Sequence, residues 1–372
     1  MDKTLKSRNC FPNENRKYRS RSRTPPKDFG KTNSKSEFIP FPSTKTSPVQ
    51  IQAPWVKPST IKFEDPVLML HEEILDFFDF MQPTLNDKQM RDDLVQRIRT
   101  VTKELWPDSE ISVFGSYETG LWLPNSDLDI AVLTSNPEST EEMINSLAQK
   151  LCLLGMISEM DRILSATVPI LKFKDKVSGV YVDVCFNTEN GVVGANIVKS
   201  YLARYPEAKY LVCVIKYFLK QRALNDTYSG GIGSFLLFCM VIASIQHHPS
   251  RRLDKSCFYR FTLGHYLVFF LKLFGEEFNY EQNGISIKGE GVFFKKSTKP
   301  WILNDRSVGL AVECPQNPET DLGKCSFAID TVKKALSHAY KLLCAQSKKI
   351  APTPLGLIIR VDETVVMRSR LG

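Results

Sequence analysis

The chain has 372 residues, 42% of them apolar, which is enough for two hydrophobic cores, and it carries a net charge of +8. Residues 1–50 hold 12 Lys or Arg against 4 Asp or Glu, so the whole excess lies there and the remainder balances at 37 of each. Nine cysteines without a Cys-x-x-Cys pair argue against a disulfide framework or zinc site and for reduced thiols in the cytosol or nucleus.

The N-terminus is polar and predicts no secretory signal. Residues 1–62 read as a disordered basic tail, too poor in long apolar side chains to offset their ordering entropy. The run Arg16-Lys17-Tyr18-Arg19-Ser20-Arg21-Ser22-Arg23 suits RNA contact or nuclear import, and suits a merely solvated tail equally well. Folding is expected to start near Phe63. Asp65 caps a helix with Pro66 at its first position, and Pro83 stops it. A second helix spans Asp87 to Leu105, with apolar residues at helical spacing.

Next come a strand ending at Gly115-Ser116, a tight turn, and a second strand through Asp127-Leu128-Asp129-Ile130-Ala131-Val132. Ser139 and Glu142 form a capping box that opens a helix ending near Gly155. Val168 to Lys174 and Val180 to Phe186 read as a hairpin around Ser178-Gly179. From Phe186 the chain turns helical. A short helix covers Asn196 to Leu202, where Asn196 reads as a cap. A longer one from Pro206 carries Lys216 and Lys220 on one face. Gly230 to Gln246 lies in the longest uncharged stretch but reads as a buried helix, with no membrane span. Thr262 to Phe274 is amphipathic, Ser326 to Leu343 closes the helical part, and residues 346–372 read as a tail.

The chemistry concentrates in three acids. Asp127 and Asp129 sit two apart at the start of an apolar strand, so both face one side and Leu128 the other. Left ionised and unpaired there they would be costly, so they call for a cation, and hard oxygen ligands suit Mg²⁺. Asp183, alone inside the apolar run Val180 to Phe186, is explained most simply as a third ligand. Gly115 and Ser116 supply close backbone approach and a hydroxyl for a phosphate. By spacing alone Lys216 and Lys220 are an ordinary wet stripe.

Gly115-Ser116, Asp127-x-Asp129 and Asp183 together resemble the DNA polymerase β-like nucleotidyltransferase superfamily. The resemblance is closer still to its template-independent TRAMP-type poly(A) RNA polymerases, also called DNA polymerase sigma. It covers about three quarters of the chain, Phe63 to Leu343, and rests on His71-Glu72-Glu73-Ile74, Leu123-Pro124-Asn125-Ser126-Asp127, Ala166-Thr167-Val168-Pro169-Ile170, Val182-Asp183-Val184, Gly230-Gly231-Ile232, Phe278-Asn279-Tyr280 and Glu313-Cys314-Pro315. It implies an α+β fold: a catalytic domain over 87–186 with a mixed sheet, and a mostly helical central domain over 63–86 and 187–345. The nucleotide would lie in the cleft between them.

The resemblance further implies that Asp127, Asp129 and Asp183 are catalytic and hold Mg²⁺ or Mn²⁺. Ser116, Lys216, Lys220 and Ser234 would contact the triphosphate of ATP, Phe235 would stack on the base, and Asn196 would touch the ribose. Thr320, Asp321 and Lys324 belong to a nucleotide-recognition loop near 311–325, which departs from the family at Cys314, Thr320 and Lys324. Uridylyl-specific relatives carry a histidine in this loop. None lies between Gly309 and Phe327, so ATP is expected over UTP, with some leakage to GTP or CTP. The implied activity is adenylation of RNA 3′ ends in the nucleus, marking RNAs for exosome decay or processing, with a zinc-knuckle RNA-binding protein and an RNA helicase as partners. A terminal uridylyltransferase and an inactive relative serving as an RNA-binding or assembly module are the alternatives.

Overall fold

A computed structural model describes residues 53–166, 168–252, 262–300, 309–345 and 353–369. The first helix, α1 (Pro66–Met81), is capped by Asp65, whose carboxylate accepts from the amides of Val67 and Leu68, with Pro66 at its start. Helix α2 (Leu85–Leu105) opens on a Thr84–Asp87 capping box. Then follow β1 (Glu110–Phe114), α3 (Gly115–Thr119), β2 (Leu128–Leu133), α4 (Thr140–Leu153), β3 (Ile157–Ile163), β4 (Ile170–Asp175) and β5 (Tyr181–Phe186). The chain continues as α5 (Asn190–Arg204), α6 (Ala208–Lys220), α7 (Ser234–His247), α8 (Leu263–Lys272), a hairpin of β6 (Asn283–Ser286) and β7 (Val292–Lys295), α9 (Ile329–Ala345) and α10 (Glu363–Ser369). The class is α+β, as expected.

The main sheet has the order β1-β2-β5-β4-β3, with β2 and β5 parallel and the other neighbours antiparallel. Leu128, Ile130 and Val132 on β2 and Val182 and Val184 on β5 share a core with Leu94 and Ile98 of α2 and Ile144 and Leu147 of α4. Side chains alternate along a strand, so the residues between them, Asp129 and Asp183, point to the opposite face. A second core joins α1 with α6, α7, α8 and α9. Leu70, Ile74 and Phe77 precede the sheet in sequence yet pack here, so the chain starts in the helical core, leaves to build the sheet, and returns.

Four features depart from the sequence reading. The turn at Gly115-Ser116 is a short helix. Strand β3 has no counterpart in the sequence reading, which assigned nothing between Gly155 and Val168. It is a mostly exposed edge strand with a bulge near Ile157–Glu159, and its interspersed charges mask its pairing with β4. Helix α5 begins at Asn190, so Asn196 lies in mid-helix rather than at a cap.

The fourth departure concerns the two tails, which are shorter than expected. Ala53 and Trp55 are buried, and so are Leu355, Ile358 and Ile359, all in the helical core. The two segments meet on Glu73, which accepts hydrogen bonds from Trp55 Nε1 at 3.1 Å, from Thr353 Oγ1 and from the Leu355 amide. Residues 1–52 of the expected basic tail, including Arg16 to Arg23, lie outside the described residues. Among the described residues no helix is long and apolar enough to cross a membrane.

Candidate active site

The sheet places its acids in one transverse row. Phe114 lies opposite Asp129, Asp129 opposite Asp183, and Asp183 opposite Lys172. Asp127 is delivered to the same face by a tight turn in which Ser126 Oγ accepts from the Leu123 amide at 2.9 Å and Asn125 adopts φ 63°. Arg91 of α2 clamps that turn by donating to the Ser126 carbonyl at 2.6 Å, and its guanidinium lies 4.5 Å from the Trp122 ring. Gly115 has φ 67°, and a Cβ there would fall 1.9 Å from Asp129 Oδ2. Only glycine permits this approach of the α3 backbone to the carboxylate.

Lys172 bridges the row. Its Nζ lies 2.7 Å from Asp127 Oδ2 and 3.2 Å from Asp183 Oδ1. Burial, with the Asp183 and Asp127 charges adding to it, pushes Asp129 up to about 7. Burial also raises Asp183, while Lys172 pulls the other way. Among the described residues, no group of three or more His, Cys, Asp or Glu side chains is gathered closely enough to hold a metal ion as it stands. An ammonium instead occupies the space between Asp127 and Asp183. The donor set nevertheless fits a hard divalent cation: all donors are carboxylate oxygens, and the buried Asp183 Oδ1 meets only the Lys172 charge at 3.2 Å, without a well-directed hydrogen bond.

Beside this row lies a cavity of about 460 Å³ between the sheet and the helices. Gly115, Ser116 and Asp129 line one wall, and Lys216, Ser234, Phe235, Cys314 and Gln316 line the other. Helix α5 comes close because it presents small residues. A Cβ on Gly191 would meet the Phe114 ring at 2.3 Å, and one on Gly194 would meet Gln316 Nε2 at 2.7 Å. Lys216 Nζ donates to the Leu121 carbonyl at 3.2 Å, and burial holds its pKa down to about 8 against the pull of Asp129. Gln316 Nε2 donates to the Asn190 carbonyl at 3.0 Å and so ties the loop after β7 to α5.

Of the expected site residues, the structure thus brings Gly115, Ser116, Asp129, Lys216, Ser234 and Phe235 to one cavity, with Asp183 beside Asp129 across the β2–β5 pair and Asp127 tied to Asp183 through Lys172. Lys220 is off the lining and donates to the Pro124 carbonyl at 3.3 Å, three residues before Asp127. Asn196, Thr320 and Lys324 are exposed and off the lining. Asp321 braces its own loop: its Oδ1 accepts from the amides of Val312 at 2.9 Å and Gly323 at 2.8 Å. The sequence reading missed Lys172, Arg91, Asn190 and Gln316. Lys172 was within reach, because a hairpin turning at Ser178-Gly179 sets it opposite Asp183.

A five-stranded mixed sheet with paired carboxylates, facing a cleft under a helical domain, is the architecture of a nucleotidyltransferase polymerase. Comparison with known proteins narrows this. Residues 70–203 match the family described as the poly(A) RNA polymerase, mitochondrial-like, central palm domain, and residues 262–320 match the Cid1 family poly A polymerase. Poly(A) RNA polymerase CID14 of Cryptococcus neoformans is 35% identical over 294 residues, 78% of this chain and 38% of that protein. The Drosophila melanogaster protein Trf4-2, described as an inactive poly(A) RNA polymerase, is 32% identical over 328 residues, 84% of this chain and 79% of its own length. The solved polymerase core of TRAMP, an RNA surveillance complex, superposes with a TM-score of 0.71 at 28% identity, covering 83% of this chain and 96% of that one. The chain belongs to the non-canonical poly(A) RNA polymerase family. It spans less than half the length of the Cryptococcus relative.

Proposed function

We propose that this chain is the polymerase unit of a template-independent poly(A) RNA polymerase, transferring AMP from ATP to the 3′ end of RNA in the nucleus. The observation that carries this reading is the row of Asp129 and Asp183, with Asp127 on the same face, next to a cavity lined by Ser116, Lys216, Ser234 and Phe235. In the reaction, the RNA 3′-hydroxyl gives up its proton to solvent as its oxygen bonds to the α-phosphorus of ATP, the bond from that phosphorus to the α,β-bridging oxygen breaks, and pyrophosphate leaves. When bound to the three acids, Mg²⁺ or Mn²⁺ would supply charge neutralisation for the attacking and leaving oxygens.

The chain's own residues do the rest. Ser116, Ser234 and the partly buried Lys216 hold the triphosphate, and Phe235 stacks on the base. Lys220 acts through the turn that delivers Asp127. Gln316 and Cys314, which line the cavity, rather than the exposed Thr320 and Lys324, would border a bound nucleotide. The catalytic domain takes in 87–186, and the central domain takes in α1 together with 187–345. In this reading a zinc-knuckle protein and an RNA helicase supply RNA selection, and the product is marked for decay or processing.

Lys172 between two of the acids, together with the inactive Drosophila relative, favours one rival: a catalytically silent RNA-binding or assembly module. Incubation of the purified protein with an RNA oligonucleotide, Mg²⁺ and each NTP separately decides between them. Extension with ATP, lost in Asp129→Asn, supports the polymerase. Folded, RNA-binding protein that extends with no NTP supports the silent module.

A further inference from the structure

Lys172 is the one basic side chain among the described residues that contacts two of the three acids. It stands opposite Asp183 across the β4–β5 pair and reaches past it to Asp127. The oxygens it touches, Asp127 Oδ2 and Asp183 Oδ1, are ones that an ion bridging the two side chains would need. An ammonium and a divalent cation cannot share that space. Lys172 is not locked there, since its side chain is 31% exposed. The Tyr181 ring, 5.9 Å from Nζ, offers an aromatic face to receive the ammonium once it leaves.

The other charges around the row do not replace it. Lys174 faces the same ring but pairs with Glu159 at 3.1 Å, and Lys216 donates to the Leu121 carbonyl. Without Lys172, Asp127, Asp129 and Asp183 would repel one another with no cation in contact.

We propose that Lys172 is an exchangeable internal cation. It holds the carboxylate row assembled while no divalent ion is bound, and it is expelled when an ion bridges Asp127 and Asp183. This rests on the metal-binding part of the function proposed above. Lys172 is then a positioning residue, and it sets a threshold for ion binding: the site fills only where a divalent ion outcompetes an ammonium already in place.

The test uses the full chain without nucleotide or RNA, with Mn²⁺ as the probe, free ion followed by electron paramagnetic resonance, and thermal unfolding in EDTA. Lys172→Met keeps most of the length of the side chain and removes its charge. It should bind Mn²⁺ roughly tenfold more tightly than wild type, because the competing cation is gone. Its Tm in EDTA should fall by about 3 °C or more and recover with saturating Mn²⁺. Lys172→Arg should behave like wild type. Lys174→Met removes the same charge two residues along the strand and should leave Mn²⁺ affinity unchanged, which separates direct exchange from a general field.

Equal or weaker Mn²⁺ binding by Lys172→Met, or the same gain in Lys174→Met, overturns the proposal. If Mn²⁺ binding is still lost in Asp183→Asn, the metal reading survives that failure. If wild type and every variant bind no Mn²⁺, both fall together.

Discussion

The two walls of the cleft are built on different principles. The sheet wall sets its acids by strand register: Asp129 and Asp183 are cross-strand partners, and moving either by one residue would turn it into the apolar core. The helical wall has no such ladder among the described residues, only isolated bridges from Val312 to Ile285 and from Glu313 to Asp321. Lys216 is positioned by the docking of α6, Phe235 by the start of α7, and Gln316 by a single side-chain bond to the Asn190 carbonyl. Helix α6 is itself pinned from behind by the C-terminal segment. Tyr217 donates to Asp362 Oδ1 at 2.5 Å, and Gln221 donates to the Arg360 carbonyl at 2.8 Å. Under the proposed function, bond-making chemistry falls to the rigid wall, and recognition to the wall assembled from many weaker contacts.

The sharpest way to break this comparison is on the sheet. Asp129→Asn should leave the fold intact and lower RNA extension by at least ~10²–10³, because an amide cannot replace an anionic ligand. Circular dichroism and single-turnover extension would check both halves. A mutation in the helical wall should act on binding more than on chemistry. Lys216→Ala should raise the KM for ATP by roughly tenfold or more, the loss of a charge-assisted phosphate contact, with a smaller change in kcat. Lys220→Ala, off the cavity lining, should raise KM less. If the two lysines prove equal in steady-state kinetics, Lys220 grips phosphate directly.

The support behind the helical wall is tested at Glu73. Glu73→Gln disturbs a buried acceptor of three hydrogen bonds and should cost about 2 kcal/mol at pH 5. Burial raises this acid from 4.5 to about 7. Between those values the folded state keeps a proton that the unfolded chain has lost, so the stability Glu73 contributes is full below pH 4.5 and falls as pH rises through 7. The gap between wild type and Glu73→Gln in urea unfolding should narrow over that window. A constant gap would mean that Glu73 is ionised throughout.

The smallest effect is expected in the recognition loop. Gln316→Ala should shift the ATP:UTP ratio of kcat/KM by severalfold, whereas Thr320→Ala and Lys324→Ala should change it by less than about twofold, since both lie off the cavity. Wild type should prefer ATP to UTP in single-nucleotide extension. The reverse preference would reassign the chain as a uridylyltransferase and leave the carboxylate row untouched.

Much of this was legible in the amino-acid order. The capping of α1 by Asp65, the Ser139–Glu142 box that starts α4, and the turning of Asp129 away from Leu128 follow from local rules with a fixed period, whereas Asp127 reaches the same face by the turn before β2. The lone acid at Asp183 was legible because an apolar strand has no other reason to carry one. The edge strand β3 was not, since its exposed charges satisfy no periodic template.

By itself, then, the sequence determined the α+β class, the identity of the three acids and the glycine at Gly115, because strand alternation and steric permission act over a few neighbouring residues. Tertiary structure alone decided that Lys172 stands between Asp127 and Asp183, that Asn190 and Gln316 rather than Asn196 and Thr320 border the cavity, and that Leu355 to Ile359 close the helical core. Those placements arise from the docking of distant segments and from irregular loops. No repeat along the chain encodes them, and burial of apolar surface with full pairing of backbone groups selects them only once the whole molecule has folded.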